Sequence, residues 1–419
     1  MSKEYRQQIT LERESSVEAL LSDSPFYLGA FYEHIHHGKR EMATQITYIR
    51  DIKNFLIYLT EVIPELKDKE LKNIPLEVID KLVLQDINDY RDYLFKEKNL
   101  SNSTAARTLS SISAFFKFLC LDDSIATNPM SNFEFPAVNK HRIVKLDAEL
   151  SNRLLEGILR NDKFLIESEN GDFVVDILPE IRIRRERTVL RNYAITYLFL
   201  GAGLRVSELV GLDLDDISFT NNCVNVILKG GDETQVYFSD EVAEALKLYL
   251  NGTPLPSELS AIYSPVSKEA EWAKKHISDM NLDKSIAKDF PDMTAEEKCT
   301  LTKLVSHYRR QGRDNFKPAR NCNAVFLSSR GTRLTVRMVE LMLKEMVKTY
   351  LPDYEDKDIF SPHKLRATCA TRILTQTGDI ELASTQLNHK GIAVTAAYYA
   401  ELQKEKRKEK IKNLDVNNW

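Results

Sequence analysis

Glycine and proline are scarce in this chain, 14 and 13 of 419 residues, where average usage is roughly 7% and 5%. With so few helix breakers and flexible joints, a helix-rich chain is expected. No apolar run approaches the ~18 residues that span a bilayer, and the opening MSKEYRQQITLERESS lacks a basic segment followed by an apolar one. An intracellular, cytoplasmic protein with no membrane partner is the expectation. The five cysteines, Cys120, Cys223, Cys299, Cys322 and Cys369, form no CxxC or CxxH spacing, which argues against a zinc site or a disulfide framework. They read as ordinary buried thiols in a reducing compartment. Excess positive charge is also missing: 58 basic and 62 acidic residues leave a net −4, so bulk charge does not advertise a nucleic-acid partner. Phosphates are neutralised by a local basic face, however, and basic runs stand at 182–191, 307–320 and 404–412. Each run is also what a solvated helix face looks like.

What is present is a globular composition, 43% apolar, 9% aromatic and 29% charged, which excludes a wholly disordered or fibrous chain. The length favours two or three domains over one core. Residues 1–40 form an N-terminal extension with a short helical pattern, a turn-prone SDSP at 22–25 and an irregular aromatic stretch at 26–38. His34, His36 and His37 have no carboxylate or Cys at matching spacing and read as a surface turn. Residues 41–135 form a helical domain. One helix covers 44–63 with an apolar stripe at Ile49, Ile52, Phe55, Leu56 and Leu59, and a second runs from Ile87 to Lys96, opened by Asp86. A third, at 101–120, has a Ser or Asn cap and the stripe Leu109, Ile112, Phe115, Phe116, Leu119. Asn128-Pro129 ends the bundle, and 136–146 reads as a basic, extended linker.

Residues 147–401 carry a mixed pattern, with helices at about 147–160, 190–201, 239–250, 335–349, 363–376 and 379–387. Alternation at Val224, Val226 and Leu228, then at Val236 and Phe238, around Gly230-Gly231 predicts a hairpin over 223–238. Stretches at about 161–188 and 252–321 look like insertions, the second charged and largely helical. The tail, 402–419, is polar and helical with a sparse apolar face at Leu402, Ile411 and Leu414. The expected fold class is mainly α with a small antiparallel β-sheet.

Four stretches carry chemistry. In GAGLRVSELVGLDLDDI (201–217) glycines stop one helix and Arg205 opens the next, with Glu208 three residues on. Alone, that pair is an ordinary intrahelical ion pair. The hairpin holds Lys229 just before Gly230. In SPHKLRATCATRIL (361–374) Ser361 is the N-cap and Pro362 the first helical residue, and the spacing of His363 and Arg366 puts both on one helix turn. In LNHKGIAVTAAYYAEL (387–402) His389 precedes Tyr398 by nine residues and Tyr399 by ten.

Arg, then Lys, then His-x-x-Arg, then His, then Tyr, in this order and at these intervals, resembles the tyrosine recombinase family, the lambda-integrase, Xer and Cre group. The likeness covers most of the chain, because the helical domain at 41–135 resembles the family's core-binding domain and 147–401 its mixed α+β catalytic domain. It implies a site-specific DNA recombinase that needs no metal, cofactor or ATP. Arg205 and Arg366 would present forks of donors to the non-bridging oxygens of the scissile phosphate. Tyr398 would attack phosphorus and form a 3′-phosphotyrosine. Lys229 would protonate the departing 5′ oxygen, His363 would exchange the nucleophile's proton, and His389 would hydrogen-bond the phosphate. The family's usual separation from the second His favours Tyr398 and leaves Tyr399 as a packing aromatic. Asp232 and Glu233 depart from the basic residues often found in that hairpin turn. Glu208 reads as structural, supporting Arg205 or its helix.

The same resemblance implies a clamp on double-stranded DNA. Lys140 and Arg142 in the connector would follow phosphates, while Arg107, Lys117 and Arg50 lie on helices that could enter a major groove or simply carry surface charge. In relatives a C-terminal helix docks into the neighbouring protomer, building a cyclic tetramer on two duplexes. The tail here is compatible with that exchange or with a frayed end. Successive strand exchanges would pass through a Holliday junction. A mobile-element integrase or transposase-type enzyme is favoured over housekeeping Xer-like dimer resolution, because compact housekeeping members lack the extension and the two insertions. A non-catalytic DNA-binding relative is a further alternative. The insertion residues Lys303, Arg309, Arg310, Arg313, Lys317 and Arg320 could touch DNA, a directionality factor or another accessory protein.

Overall fold

A computed structural model describes residues 3–38, 41–67, 69–138, 143–160, 166–167, 173–174, 179–228, 231–252, 257–264, 266–309, 322–389 and 391–412. It separates into two units, residues 3–142 and residues 143–419. No described helix is long and apolar enough to cross a membrane.

The first unit is wholly helical: α1 (Lys3–Leu21), α2 (Phe26–His37), α3 (Met42–Val62), α4 (Leu76–Asp80), α5 (Leu84–Lys96) and α6 (Asn102–Leu121). The stripes expected on α3 and α6 face one core, with Ile49, Ile52, Phe55, Leu109, Ile112 and Phe115 fully buried. Ser101 caps α6 by accepting the Thr104 N–H. The aromatic stretch expected to be irregular is instead α2. Pro25 ends the turn in an extended conformation (φ −62°, ψ 152°), from which a helix restarts readily. Tyr27, Leu28, Phe31 and Ile35 then share one buried face, and Phe31 meets Phe115 edge-on with centroids 5.5 Å apart. His34, His36 and His37 accordingly lie on a helix and not in a turn; His34 packs on Phe118 at 4.9 Å. Helix α5 starts at Leu84, earlier than expected, because Asp86 caps from inside the first turn and accepts the Val83 N–H at 2.8 Å.

In the second unit α7 (Ala148–Arg160) is followed by a two-residue antiparallel ribbon, β1 (Ile166–Glu167) with β2 (Phe173–Val174). Helix α8 (Pro179–Gly201) comes next and begins well before the expected 190, inside the stretch read as an insertion. After the short α9 (Val206–Val210) a three-stranded antiparallel sheet forms in the order β3 (Ile217–Ser218), β4 (Cys223–Ile227), β5 (Glu233–Tyr237). Val224 pairs with Val236, and Val224, Val226 and Val236 are buried while Asn225 and Gln235 face out. That is the period-two pattern of a half-buried strand pair. Gly231 takes φ +98° at the turn, and Lys229 and Gly230 lie outside the described residues.

Helix α10 (Asp240–Asn251) leads into α11 (Ser257–Ser260), α12 (Lys268–Lys275), α13 (Leu282–Asp289) and α14 (Ala295–Arg309). These last four close over a core of their own, including Ala270, Ala273, Ile286, Leu301, Leu304 and Val305. Then follow α15 (Val336–Tyr350), α16 (Pro362–Thr377), α17 (Ile380–Gln386) and α18 (Ile392–Lys412). The main core of the unit combines α7, α8, α10, α15 and the buried sheet face, with Ile195, Leu198, Phe199, Leu246, Phe326 and Leu343 among its buried members. Two further expectations need correction. Arg191, in the basic run at 182–191, is no solvated residue: its guanidinium is buried and donates to the Leu327 carbonyl at 2.8 Å. Of the cysteines, Cys223 and Cys369 are buried but Cys299 is exposed.

Candidate active site

Three chain segments converge at one end of α16. The loop after α8 turns at Gly203 with φ +69°, and a Cβ there would stand 2.4 Å from Leu387 Cδ2 and 3.1 Å from Cys369 Sγ. Only glycine suits both the left-handed backbone and the close approach. The loop then delivers Arg205 to the N-cap of α9 in extended conformation. Glu208, buried in the first turn of α9, accepts the Arg205 backbone N–H at 2.7 Å and its Nη1 at 2.6 Å. The supporting role expected of Glu208 is what these bonds perform. The other fork nitrogen of Arg205, Nη2, donates to the Asn388 carbonyl at 2.9 Å.

Helix α16 contributes His363 and Arg366 from its first turns. Ser361 occupies the N-cap position without a side-chain capping bond. Arg366 is 7% exposed and donates Nη1 to the Gly203 carbonyl at 2.6 Å and Nη2 to the Leu387 carbonyl. Its Nη1 also lies 3.9 Å from Glu208 Oε2. A single buried carboxylate thus stands between two guanidinium groups, each held to backbone carbonyls, which fixes both forks in place. Asn388, whose carbonyl serves Arg205, takes a left-handed φ of +47°. That turn presents His389 and leads into α18.

His389 Nδ1 lies 2.8 Å from Thr395 Oγ1, and its ring is nearly parallel to that of Tyr398, at 11° with centroids 6.3 Å apart. Tyr398 and Tyr399 are both half-buried on α18. Tyr398 packs against Cys369, Ala370 and Leu387, and Tyr399 against the cluster of Leu374, Ala383 and Leu402. Tyr398 and the tail residues up to Lys412 share one helix. Leu402, counted with the tail in the sequence, is 7% exposed and packs within its own unit.

The electrostatics follow from burial and from two like charges close together. Burial, and then Arg205, lower the Arg366 pKa to about 10 against the pull of Glu208, so it stays charged at neutral pH. Burial, then Arg366 and Arg205, push His389 down to about 4. Desolvation and the same arginines lower His363 as well. Both imidazoles are therefore neutral at pH 7. Burial raises the Tyr398 phenol, with Arg366 working against it.

Arg205, His363, Arg366, His389 and Tyr398 are thus neighbours. Lys229, Lys140 and Arg142 lie outside the described residues. Arg107 grips the buried carboxylate of Asp51 with both ends of its fork, at 2.6 and 3.2 Å, and Ser111 Oγ donates to the same carboxylate at 2.7 Å. Its side chain is 49% exposed, but the bonds it makes brace α3 to α6. Lys117 and Arg50 are exposed. In the insertion, Lys303 is exposed, while Arg309 is tied to the carbonyls of Ile277 and Asp279 at 2.8 and 2.7 Å. Thr395 and the carbonyls of Gly203, Leu387 and Asn388 escaped the sequence reading, because carbonyls are invisible in a sequence and a lone Thr beside His389 has no signature. Among the described residues no group of three His, Cys, Asp or Glu is placed to hold a metal ion.

Comparison with known proteins supplies context. The family model described as the phage integrase family matches residues 172–406, more than half of the chain. A tyrosine recombinase XerC from Leptospira interrogans is 28% identical over 324 residues, 77% of this chain and 76% of that protein. A tyrosine recombinase XerS from Streptococcus mutans is 24% identical over 413 residues, 94% of this chain and 96% of that protein. In fold the chain is similar to the Tn1549 transposon integrase solved with circular intermediate DNA, at 19% identity and a TM-score of 0.52, covering 89% of this chain and 94% of that one.

Proposed function

Because this chain belongs to the phage integrase family, the tyrosine-type site-specific DNA recombinases, we propose that residues 143–419 cut and rejoin DNA through Tyr398. The observation that carries the reading is the cluster itself: two charged arginines locked by Glu208, with neutral His389 stacked on Tyr398.

Arg205 and Arg366 place positive charge where a phosphate would gain negative charge as a fifth oxygen approaches. The Tyr398 oxygen forms a bond to phosphorus while the bond from phosphorus to the 5′ oxygen breaks. The phenol proton must leave as this happens, and His363, kept neutral by desolvation and by Arg366 and Arg205, has a lone pair to accept it. Lys229 returns a proton to the departing 5′ oxygen. His389, also neutral, donates a hydrogen bond to a phosphate oxygen. The phosphotyrosine keeps the energy of the broken bond, so the reverse attack by a 5′ hydroxyl rejoins the strand without ATP. Residues 3–142 supply a second DNA-binding surface in which Lys117, Lys140, Arg142 and the exposed part of Arg107 meet phosphates. Four protomers on two duplexes, exchanging strands through a Holliday junction, complete the reading.

Integration and excision of a mobile element is the biological role we favour, on the ground of the four-helix insertion with its own core. A Xer-like role in dimer resolution is the second reading. It draws on the XerS relative, which aligns over nearly the whole of both chains, and on α2, which packs into the first unit's core and is no mere appendage.

The test is to incubate the protein with DNA of its source cell, denature, recover protein-linked fragments and sequence their ends, with Tyr398→Phe alongside. Linked fragments sharing one short, partly palindromic sequence, absent with the variant, are expected. Ends at a mobile element and its insertion points would favour integration, and a single chromosomal locus would favour the Xer-like role. Linkage scattered over all sequences, or none, would overturn site-specific recombination.

A further inference from the structure

Thr395 behaves unlike its neighbours. In the second unit Thr196, Thr368, Thr371 and Thr377 each donate their hydroxyl to the carbonyl four residues back, at 2.8 to 2.9 Å. Thr395 is fully buried and does not. The carbonyl four residues back, Gly391, accepts the Val394 N–H at 3.3 Å, and Thr395 Oγ1 meets His389 Nδ1 at 2.8 Å. Among the described residues that nitrogen is the hydroxyl's one side-chain partner.

A neutral imidazole carries one proton, so Nδ1 either donates or accepts. If Nδ1 held the proton it would donate to Oγ1, and the buried Thr395 hydroxyl proton would have no acceptor among the described residues, the arrangement that desolvation penalises. With Nδ1 bare, the hydroxyl donates to it and both atoms of that contact are satisfied. We propose that Thr395 is a positioning residue that fixes His389 in the tautomer protonated at Nε2, so that the ring offers an N–H, and not a lone pair, to the scissile phosphate. The proposal rests on the reading of His389 as a phosphate-contacting group.

Two further observations support it. Burial and the two arginines keep His389 neutral at pH 7, so there is a tautomer to choose. The Tyr398 ring, nearly parallel at 11°, sets the plane of the imidazole, and the Nδ1 bond sets its rotation within that plane. With both fixed, Nε2 has one direction. An Nε2 lone pair would repel an anionic oxygen, whereas an N–H donates a charge-assisted bond to it, so the Thr395 hydroxyl decides the sign of the contact.

Selective 15N labelling of histidine, with His389→Gln for assignment, reads the tautomer directly and needs no DNA. In the full wild-type chain a bare, pyridine-type Nδ1 and a protonated, pyrrole-type Nε2 are expected. Thr395→Val keeps the shape without the hydroxyl and should give a mixture of tautomers, and Thr395→Ser should restore the wild-type pattern. On the site recovered by fragment sequencing, Thr395→Val should form the covalent complex roughly tenfold more slowly, with DNA binding unchanged and Thr395→Ser close to wild type. A wild-type His389 protonated at Nδ1, or a Thr395→Val protein with an unchanged tautomer, would overturn the proposal. So would a Val variant whose tautomer shifts while cleavage keeps its rate. If no DNA linkage forms in any variant, the recombinase reading fails by itself, and the resonances still decide the tautomer.

Discussion

Glu208 is the residue whose charge the site depends on most. Its side chain is 3% exposed, and its carboxylate faces Arg205. It accepts from that residue's N–H at 2.7 Å and Nη1 at 2.6 Å, and stands 3.9 Å from Arg366 Nη1. Glu208→Gln keeps the shape and one acceptor oxygen but removes the negative charge between two guanidinium groups. Breaking a buried ion pair from one side costs about 3–5 kcal/mol. Arg205 is 28% exposed, so water relieves part of that, and about 2–3 kcal/mol is expected. Glu208→Ala also leaves the Arg205 N–H without its acceptor, a further ~1 kcal/mol. At roughly 2 °C per kcal/mol for a unit of this size, calorimetry should show the transition of residues 143–419 about 5 °C lower for Gln and lower again for Ala. Cleavage should fall more than DNA binding, because the mutual repulsion of Arg205 and Arg366 then acts on the two forks that must close on one phosphate. A Gln variant that melts with wild type and cleaves at its rate would refute the reasoning.

Three other outcomes are expected. Gly203→Ala combines a left-handed φ with a 2.4 Å approach to Leu387 Cδ2, so thermal unfolding should show a loss of about 2–4 kcal/mol; a loss under 0.5 kcal/mol would contradict the tight crossing. Arg107→Lys keeps a charge for phosphate but loses the fork on buried Asp51, so the first unit should melt lower even without DNA, by about 1–2 kcal/mol. Unchanged melting would return Arg107 to a purely surface role. The folded-state pKa of His389, about 4, lies below the ordinary 6.5, so between these values the unfolded chain binds the proton more readily. Stability from this group is full above pH 6.5 and is lost as pH falls toward 4. His389→Gln should flatten that part of the pH–stability curve, and an identical acid slope would contradict the shift.

Legibility in the sequence followed the range of the interactions. The stripes on α3 and α6 could be read because helical periodicity is local, and the hairpin around Val224 and Val236 because strand alternation is local too. Helix α2 could not, since its turn-flanked aromatics become a helix face only against Phe115 and Phe118 of α6. The burial of Arg191 has no local signature, because its acceptor, the Leu327 carbonyl, is 136 residues away. The early start of α5 depends on an Asp that caps from within the first turn. At the site, motif order and spacing pointed to Arg205, His363, Arg366, His389 and Tyr398, which the fold places side by side. It could not show that Glu208 serves two arginines, that Asn388 lends its carbonyl through a left-handed turn, or that Thr395 reaches His389 Nδ1. Those contacts arise only when the ends of α8, α16 and α17 meet.

The most direct test of the central claim is to trap the protein on its own cleaved site, digest the DNA and the chain, and locate the nucleotide-bearing peptide by mass spectrometry. The account predicts a phosphodiester on Tyr398, lost in Tyr398→Phe and retained in Tyr399→Phe. A nucleotide on Tyr399, or none on either tyrosine in a protein that still recombines DNA, would contradict it.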